Sequence, residues 1–254
     1  MIKKLKKILD NNLLQENGKH IMLAAFPKSA STFLMHMLAK QLNYDIQIFL
    51  KALDGSEQEF EMTEFKKHAH KNTVTHQHIR ATPYNIRMLK ENNFTVFVLI
   101  RDLNECVMSL RRHIYTQKNN WSIANINDDF FKLCESKQYD FIIDLCMPWY
   151  INFYVYWYRA IEYNLIDAKF LSFNQITNDT KTTLNFILNN LGHKKLNNEE
   201  ISQLYLSIKD KSRITKEMNI AFSQEILELN NLQKLKLKKL CSYYPSVDFK
   251  QIGV

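Results

Sequence analysis

The chain has 254 residues, of which 46% are hydrophobic and 24% charged, an ordinary balance for a globular domain with a substantial core. Its net charge of +8 favours an anionic partner, such as a nucleotide, a sulfated or phosphorylated substrate, a nucleic acid or a membrane surface, although for scattered lysines a solubilising surface is the favoured explanation. The 4 cysteines are far apart and form no C-x-x-C pair, which argues against a zinc or dithiol site and predicts reduced cysteines in a cytoplasmic protein. Neither a signal peptide nor a membrane span is predicted, because polar residues interrupt both the N-terminal segment and the aromatic stretch at 149–161.

The first half of the chain opens with two predicted units. Residues 1–18 have the spacing of an amphipathic helix, for which packing on the domain is favoured over a membrane-surface anchor. The apolar run at 21–26 then predicts a buried strand, residues 27–32 a tight loop, and the apolar spacing from Phe33 onward a helix. The result is a strand, loop and helix in immediate succession.

The loop at 27–32 has the chemistry of a phosphate or sulfate site. A helix N-terminus offers free N–H groups and the positive end of the helix dipole. Lys28 adds a full charge, Ser31 and Thr32 add hydroxyl donors, and Ser29 and Ser31 are predicted to cap the helix. The loop is not a standard P-loop, because no glycine lies between Gly18 and Lys28.

A second predicted strand, 73–79, follows the polar, irregular stretch 45–72, which either shapes a substrate entrance or is a plain surface excursion. Strand alternation places His76 and His78 on one face. A metal site is not indicated, because no third ligand follows at a spacing typical of metal sites. Two interpretations are left: both histidines are structural and hydrogen-bonded, or one of them is a general base.

A second strand and helix unit occupies the middle of the chain. Pro83 begins a predicted helix, 94–100 is a predicted buried strand, and a helical stripe follows from Leu103. Arg101 therefore stands at the carboxyl end of a strand, where ligands of open α/β sheets collect.

The second half of the chain is predicted to alternate between helices and one more strand. Residues 113–147 are expected to be loop and helix, and could form a lid or substrate loop. Pro148 begins an aromatic helix, for which core packing is favoured over an acceptor pocket. A strand at 169–173 and a helix at 181–191 follow.

Two of these segments resemble the nucleotide motifs of the sulfotransferase family. Residues 27–33 resemble its 5′-phosphosulfate loop, Pro-Lys-[Ser/Thr]-Gly-[Thr/Ser]-[Thr/Ser]-aromatic, with Ala30 where the family usually has glycine. If that position requires a positive φ, alanine is strained there. Residues 101–109 resemble the 3′-phosphate motif Arg-Asp-Pro-x-Asp-x-x-x-Ser, with the Arg and Ser in place and Leu103 instead of proline.

The resemblance implies a single α/β domain over residues 1–254, with a three-layer P-loop-like fold and a central, mainly parallel sheet. The segment at about 207–254 would close over the nucleotide. It further implies transfer of a sulfuryl group from 3′-phosphoadenosine 5′-phosphosulfate (PAPS) to an acceptor hydroxyl or amine, with adenosine 3′,5′-bisphosphate (PAP) as product. No metal is needed for that reaction.

The resemblance also assigns roles to residues. Lys28 would neutralise the departing phosphate oxygen, and His78 or His76 would be the base, with His78 favoured by its separation from Arg101. Phe33 and Phe173 would sandwich the adenine, although core packing is plausible for both. The implied nucleotide site comprises Lys28, Ser29, Ala30, Ser31, Thr32, Phe33, Arg101, Ser109, Phe173, Arg213 and Lys216.

Two rival functions come from other classes. A nucleotide kinase-like phosphotransferase is disfavoured because the glycine-rich lysine motif is missing. A non-catalytic polyanion binder would use the basic surface but has no need of two separate phosphate loops. The acceptor class is open among small molecules, lipids and glycans, nucleic acid is not expected, and the sequence does not indicate an oligomeric state.

Overall fold

The computed structural model describes residues 18–51, 57–117, 123–208 and 228–254. The predicted helix at 1–18 therefore lies outside the described residues, apart from Gly18. The fold is built on a five-stranded sheet with every neighbouring pair parallel, in the order β2-β3-β1-β4-β5. The strands are β1 His20–Ala25, β2 Asp45–Ile46, β3 Thr73–Gln77, β4 Phe94–Ile100 and β5 Ala168–Ser172.

Helices connect the strands and cover both faces of the sheet. They are α1 Ser31–Leu42, α2 Met62–Lys66, α3 Pro83–Glu91, α4 Leu103–Gln117, α5 Asp128–Lys132, α6 Glu135–Phe141, a π-helical turn Ile142–Cys146, α7 Met147–Glu162, α8 Phe173–Asn178, α9 Thr180–Asn190, α10 Asn198–Ile208, α11 Asn231–Ser242 and a 3₁₀ turn Lys250–Ile252.

The central strand β1 is buried along its whole length and divides the core into two halves. Successive side chains of a strand point to opposite faces. Met22 and Ala24 pack with α3, α4, α6, α7 and α11, whereas Ile21 and Leu23 pack with α1, α9 and α10. The three-layer α/β fold with a parallel central sheet, predicted from the sequence, is thus confirmed.

The stretch 45–72 is more regular than predicted. Residues 45–46 form β2 and pair with Thr73 and Val74, and residues 62–66 form α2. The predicted loop and helix segment 113–147 also contains the end of α4, two short helices and the π-helical turn. A two-residue edge strand carries too little alternation to be recognised in a sequence.

The aromatic side chains of α7 mainly form core, which confirms the favoured interpretation of that helix. Tyr150, Phe153 and Trp157 are fully buried, and the indole of Trp157 donates to the carbonyl of Ile79 at 3.0 Å. Tyr150 packs edge to face on Phe26, with 5.1 Å between the ring centroids, and Phe26 is the residue directly before the lysine loop. Within the described ranges, no helix is long and apolar enough to cross a membrane.

The C-terminal residues pack against the start of α4. Gly253 has a φ of 80°, and a Cβ placed on it would lie 1.7 Å from a carboxylate oxygen of Asp102. The other carboxylate oxygen of Asp102 accepts from the backbone N–H of Asn104 at 2.8 Å and so caps α4. The chain end therefore touches the cap of the helix that follows Arg101.

Candidate active site

The loop between β1 and α1 has the backbone of an anion cradle. Lys28 and Ala30 both have positive φ values, 68° and 64°. Helical bonding begins with the N–H of Leu34, which donates to the carbonyl of Ala30 at 3.1 Å. The three preceding N–H groups, at positions 31–33, therefore lie at the positive end of the helix without a helical acceptor, as anion binding requires.

Serine capping of this helix was predicted, and that prediction was wrong. The N-cap position belongs to Ala30, which offers no side-chain acceptor. The hydroxyl of Ser29 is buried and donates instead to the carbonyl of Phe26 at 2.7 Å, which ties the two ends of the turn together. Because no side chain caps the helix, its first N–H groups stay available for a ligand.

Arg101 links the end of β4 to the lysine loop. Its Nη1 donates to the carbonyl of Lys28 at 3.1 Å, and its Nε donates to Glu105 at 2.9 Å. The side chain is only 12% exposed. Two of the predicted phosphate-binding residues, 73 positions apart in sequence, thus lie side by side at the carboxyl ends of neighbouring strands.

Phe173 lies directly against the guanidinium of Arg101, with 3.8 Å between the Arg101 Cζ and the ring centroid. The sheet register explains the contact: β4 and β5 pair Ile100 with Ser172, so the next residues emerge together. Ser172 and Gln175 form a reciprocal capping box, which fixes the first turn of α8 and the position of Phe173 within it. This arrangement also gives Gln175 a structural role.

His78 reaches the end of the central strand. Its Nδ1 lies 2.8 Å from the carbonyl oxygen of Ala25, and its backbone N–H donates to Gln58 at 2.5 Å. Since a carbonyl can only accept, Nδ1 carries the proton and Nε2 is left as the acceptor nitrogen. Burial lowers the pKa of His78, the hydrogen bond to the Ala25 carbonyl offsets part of that shift, and the proximity of His113 adds to it; the net shift is downward, so the ring is neutral near pH 7.

His76 has different surroundings from His78, although their ring centroids are 6.0 Å apart. Its Nδ1 lies 3.3 Å from the sulfur of Met35 in α1, and burial lowers its pKa to about 3. The shared strand face was predicted for a strand that runs to residue 79, but β3 ends at Gln77. His76 consequently faces α1, and His78 faces the end of β1.

The remaining predicted residues are spread more widely. Phe33 is 5% exposed and packs edge-on to Tyr205 at 5.8 Å, within the α1 layer of the core. Ser109 is buried in α4 and Thr32 is half-buried in the first turn of α1. Arg213 and Lys216, which were predicted to bind the nucleotide, lie outside the described residues. Among the described residues, no cluster of His, Cys, Asp or Glu side chains could hold a metal ion.

Sequence reasoning missed a polar group from the stretch 45–72. Gln58 holds the backbone of His78. Its neighbour Glu57 accepts from the indole of Trp149 at 3.0 Å and pairs with Arg80 at 3.0 Å. These contacts place the stretch over the histidine end of the sheet. No sequence motif within the stretch predicts that it supports His78. The only signal was its position next to a binding loop.

The parallel sheet, with its lysine loop after the central strand, has the P-loop-like fold of sulfotransferases. Neither a protein-family model nor a curated protein sequence matches the chain. Among solved structures, it is similar to the mouse sulfotransferase SULT7A1 complexed with PAP, with a TM-score of 0.54 and 14% sequence identity. The match covers 85% of this chain and 69% of that chain.

Proposed function

We propose that this protein is a sulfotransferase that moves a sulfuryl group from PAPS to a hydroxyl or amine of an acceptor. The observation that carries the proposal is the bond between Arg101 and the carbonyl of Lys28. It holds the Arg101 side chain of one motif against the backbone of the loop that carries Lys28, at the end of the sheet where a parallel α/β fold binds ligands. A nucleotide with phosphate groups at both ends of its ribose needs two such positions. Similarity in fold to a PAP-complexed sulfotransferase supports the same assignment.

The lysine loop would bind the 5′-phosphosulfate. The N–H groups of the first turn of α1 and the hydroxyls of Ser31 and Thr32 would bind its oxygens, and Lys28 would neutralise charge on the departing phosphate oxygen. Ser29 and Ala30 would contribute only through the loop backbone, because the Ser29 hydroxyl is already bonded to the Phe26 carbonyl and Ala30 has no polar side chain. Arg101 and Ser109 would hold the 3′-phosphate and so discriminate against ADP and ATP, which lack that group.

His78 is the favoured general base. Its Nδ1 proton is held by the carbonyl of Ala25, so Nε2 can take the proton of the acceptor. The acceptor oxygen or nitrogen forms a bond to sulfur as the bond from sulfur to the 5′-phosphate oxygen breaks, and PAP leaves with the electron pair. His76 is disfavoured as the base because its ring contacts Met35, and its pKa of about 3 makes it a weak proton acceptor.

The acceptor class stays open among small molecules, lipids and glycans. Trp149 and Tyr156 are at least partly exposed near the histidine end of the sheet and would suit an acceptor with an apolar part. We place the reaction in the cytoplasm, an assignment supported by the unpaired thiols of the four cysteines in the structure.

The test is a calorimetric titration of the full chain with PAP, ADP and AMP. We expect PAP to bind at least tenfold more tightly than ADP, and Lys28→Ala and Arg101→Ala to remove most of that affinity. Lys40→Ala is the matched control, because Lys40 is an exposed lysine at the far end of the same helix. Equal binding of ADP would favour a kinase-like function, and weak, salt-sensitive binding of every polyanion would favour a non-catalytic binder.

A further inference from the structure

Phe173 is the residue whose surroundings differ most from its expected role. A side chain that stacks on adenine needs an open ring face. In the structure one face of the Phe173 ring is covered by the Arg101 guanidinium at 3.8 Å, well within the 6 Å range of a cation–π contact, so a sandwich that uses this face is blocked and at most the opposite face is left. The close contact is a direct result of the strand register and of the capping box at Ser172.

The same guanidinium is held on two of its other sides. Nε is bonded to Glu105 and Nη1 to the carbonyl of Lys28, and the second terminal nitrogen, Nη2, has no partner among the described residues. A guanidinium fixed by an edge bond, a backbone bond and an aromatic face loses little conformational freedom when an anion binds the remaining edge. The unoccupied donor and the fixed plane both point to a bound anion.

We infer that Phe173 is a positioning residue for Arg101 and thereby sets the selectivity for a 3′-phosphate. The inference rests on the proposed function, because it assigns the anion at Arg101 to that phosphate. Phe173 acts through the guanidinium and does not contact the nucleobase. Its effect is therefore confined to ligands that carry the 3′-phosphate.

The experiment compares PAP with AMP, which differs only in lacking the 3′-phosphate, in calorimetric titrations of four proteins. We expect Phe173→Leu to weaken the binding of PAP about tenfold, since it removes the cation–π contact, and to change the affinity for AMP by less than about twofold. Phe173→Tyr keeps an aromatic face and should stay within about threefold of wild type for PAP. Phe170→Leu is the control: it makes the same chemical change three residues earlier, in β5, where the ring packs on Tyr154.

A second arm tests whether the effect passes through Arg101. In an Arg101→Gln background, the further change Phe173→Leu should leave PAP affinity unaltered, because the cation that Phe173 positions is gone. Equal weakening of PAP and AMP by Phe173→Leu would show a nucleobase contact and overturn the inference. An unchanged affinity for both would overturn it too. If the wild-type protein itself does not prefer PAP over AMP, the proposed function fails, and the positioning role fails with it.

Discussion

Ala30 occupies a backbone conformation that favours glycine, so Ala30→Gly should stabilise the protein. The residue has φ 64° and ψ 21°, the left-handed helical region, and no side-chain bond compensates for it. For a residue with a Cβ, this conformation costs roughly 1–2 kcal/mol. Glycine removes that strain, but it raises the conformational entropy of the unfolded chain, which destabilises the folded state by roughly 0.5–1 kcal/mol. Loss of the half-buried methyl group costs a few tenths more, so the expected net gain is about 0.5 kcal/mol.

The assay is thermal and urea unfolding of the full chain, beside two controls in the same helix unit. A gain of about 0.5 kcal/mol corresponds to a rise in Tm of roughly 1–2 °C for a chain of this size. Ala39→Gly, in the helical interior and buried, should lower stability by about 1.5–2 kcal/mol through lost helix propensity and a lost methyl contact.

Asn43→Gly should be close to neutral, because Asn43 is also left-handed, at φ 54°, but asparagine tolerates that region. The opposite signs at positions 30 and 39 are the decisive comparison. If Ala30→Gly destabilised the protein as much as Ala39→Gly does, the alanine at position 30 would not be strained.

Three further predictions concern the histidines and the acidic partner of Arg101. His78→Gln should lower the rate of PAP release from PAPS about 10²–10⁴-fold, since Gln cannot take a proton. The wild-type rate should fall only below pH 6.5, because the lowered pKa keeps His78 neutral above it; a plateau that began above pH 7 would contradict the assignment. The folded-state pKa of His76 is about 3 against 6.5 unfolded, so stability should be lost as pH falls below 6.5, by up to about 1.4 kcal/mol per pH unit. The urea midpoint of unfolding, measured between pH 4 and pH 8, should depend less steeply on pH in His76→Gln than in the wild type. An unchanged pH dependence would mean that His76 does not cause the loss of stability. Glu105→Gln keeps an acceptor for Arg101 but removes a negative charge beside the bound phosphate, so PAP should bind about two- to fivefold more tightly; weaker binding would show that the carboxylate itself is needed.

Local patterns were sufficient to predict most of the sheet. The predicted strand 94–100 coincides with β4, and the predicted strand 169–173 differs from β5 by one residue at each end. The run at 94–100 is almost continuously apolar, as is typical of a parallel strand that is buried between two helix layers. β2 could not be predicted, because two residues carry no alternation pattern and the strand is defined by its pairing to β3.

The contacts of the site depend on quantities that a single sequence does not contain. That Arg101 stands at the end of a strand follows from the sequence, because the apolar run stops at Ile100. That it meets Phe173 follows only from the register of β4 against β5, which pairs residues 72 positions apart. The end of β3 at Gln77 likewise decides that the two histidines have different neighbours, and alternation alone placed them together.

On the proposed function, the bond from Arg101 to the Lys28 carbonyl makes the two phosphate positions interdependent. The carbonyl belongs to a residue with a positive φ, in a loop that is also held by the bond from the Ser29 hydroxyl to the Phe26 carbonyl. A strained loop keeps its geometry only when its surroundings hold it in place, and Arg101 is one of the groups that do so. An anion that fixes Arg101 therefore also stabilises the loop that would bind the 5′-phosphosulfate. Loss of the Arg101 side chain removes its bond to the Lys28 carbonyl and should therefore weaken the binding of AMP as well as PAP, whereas Phe173→Leu leaves that bond in place and should weaken PAP alone.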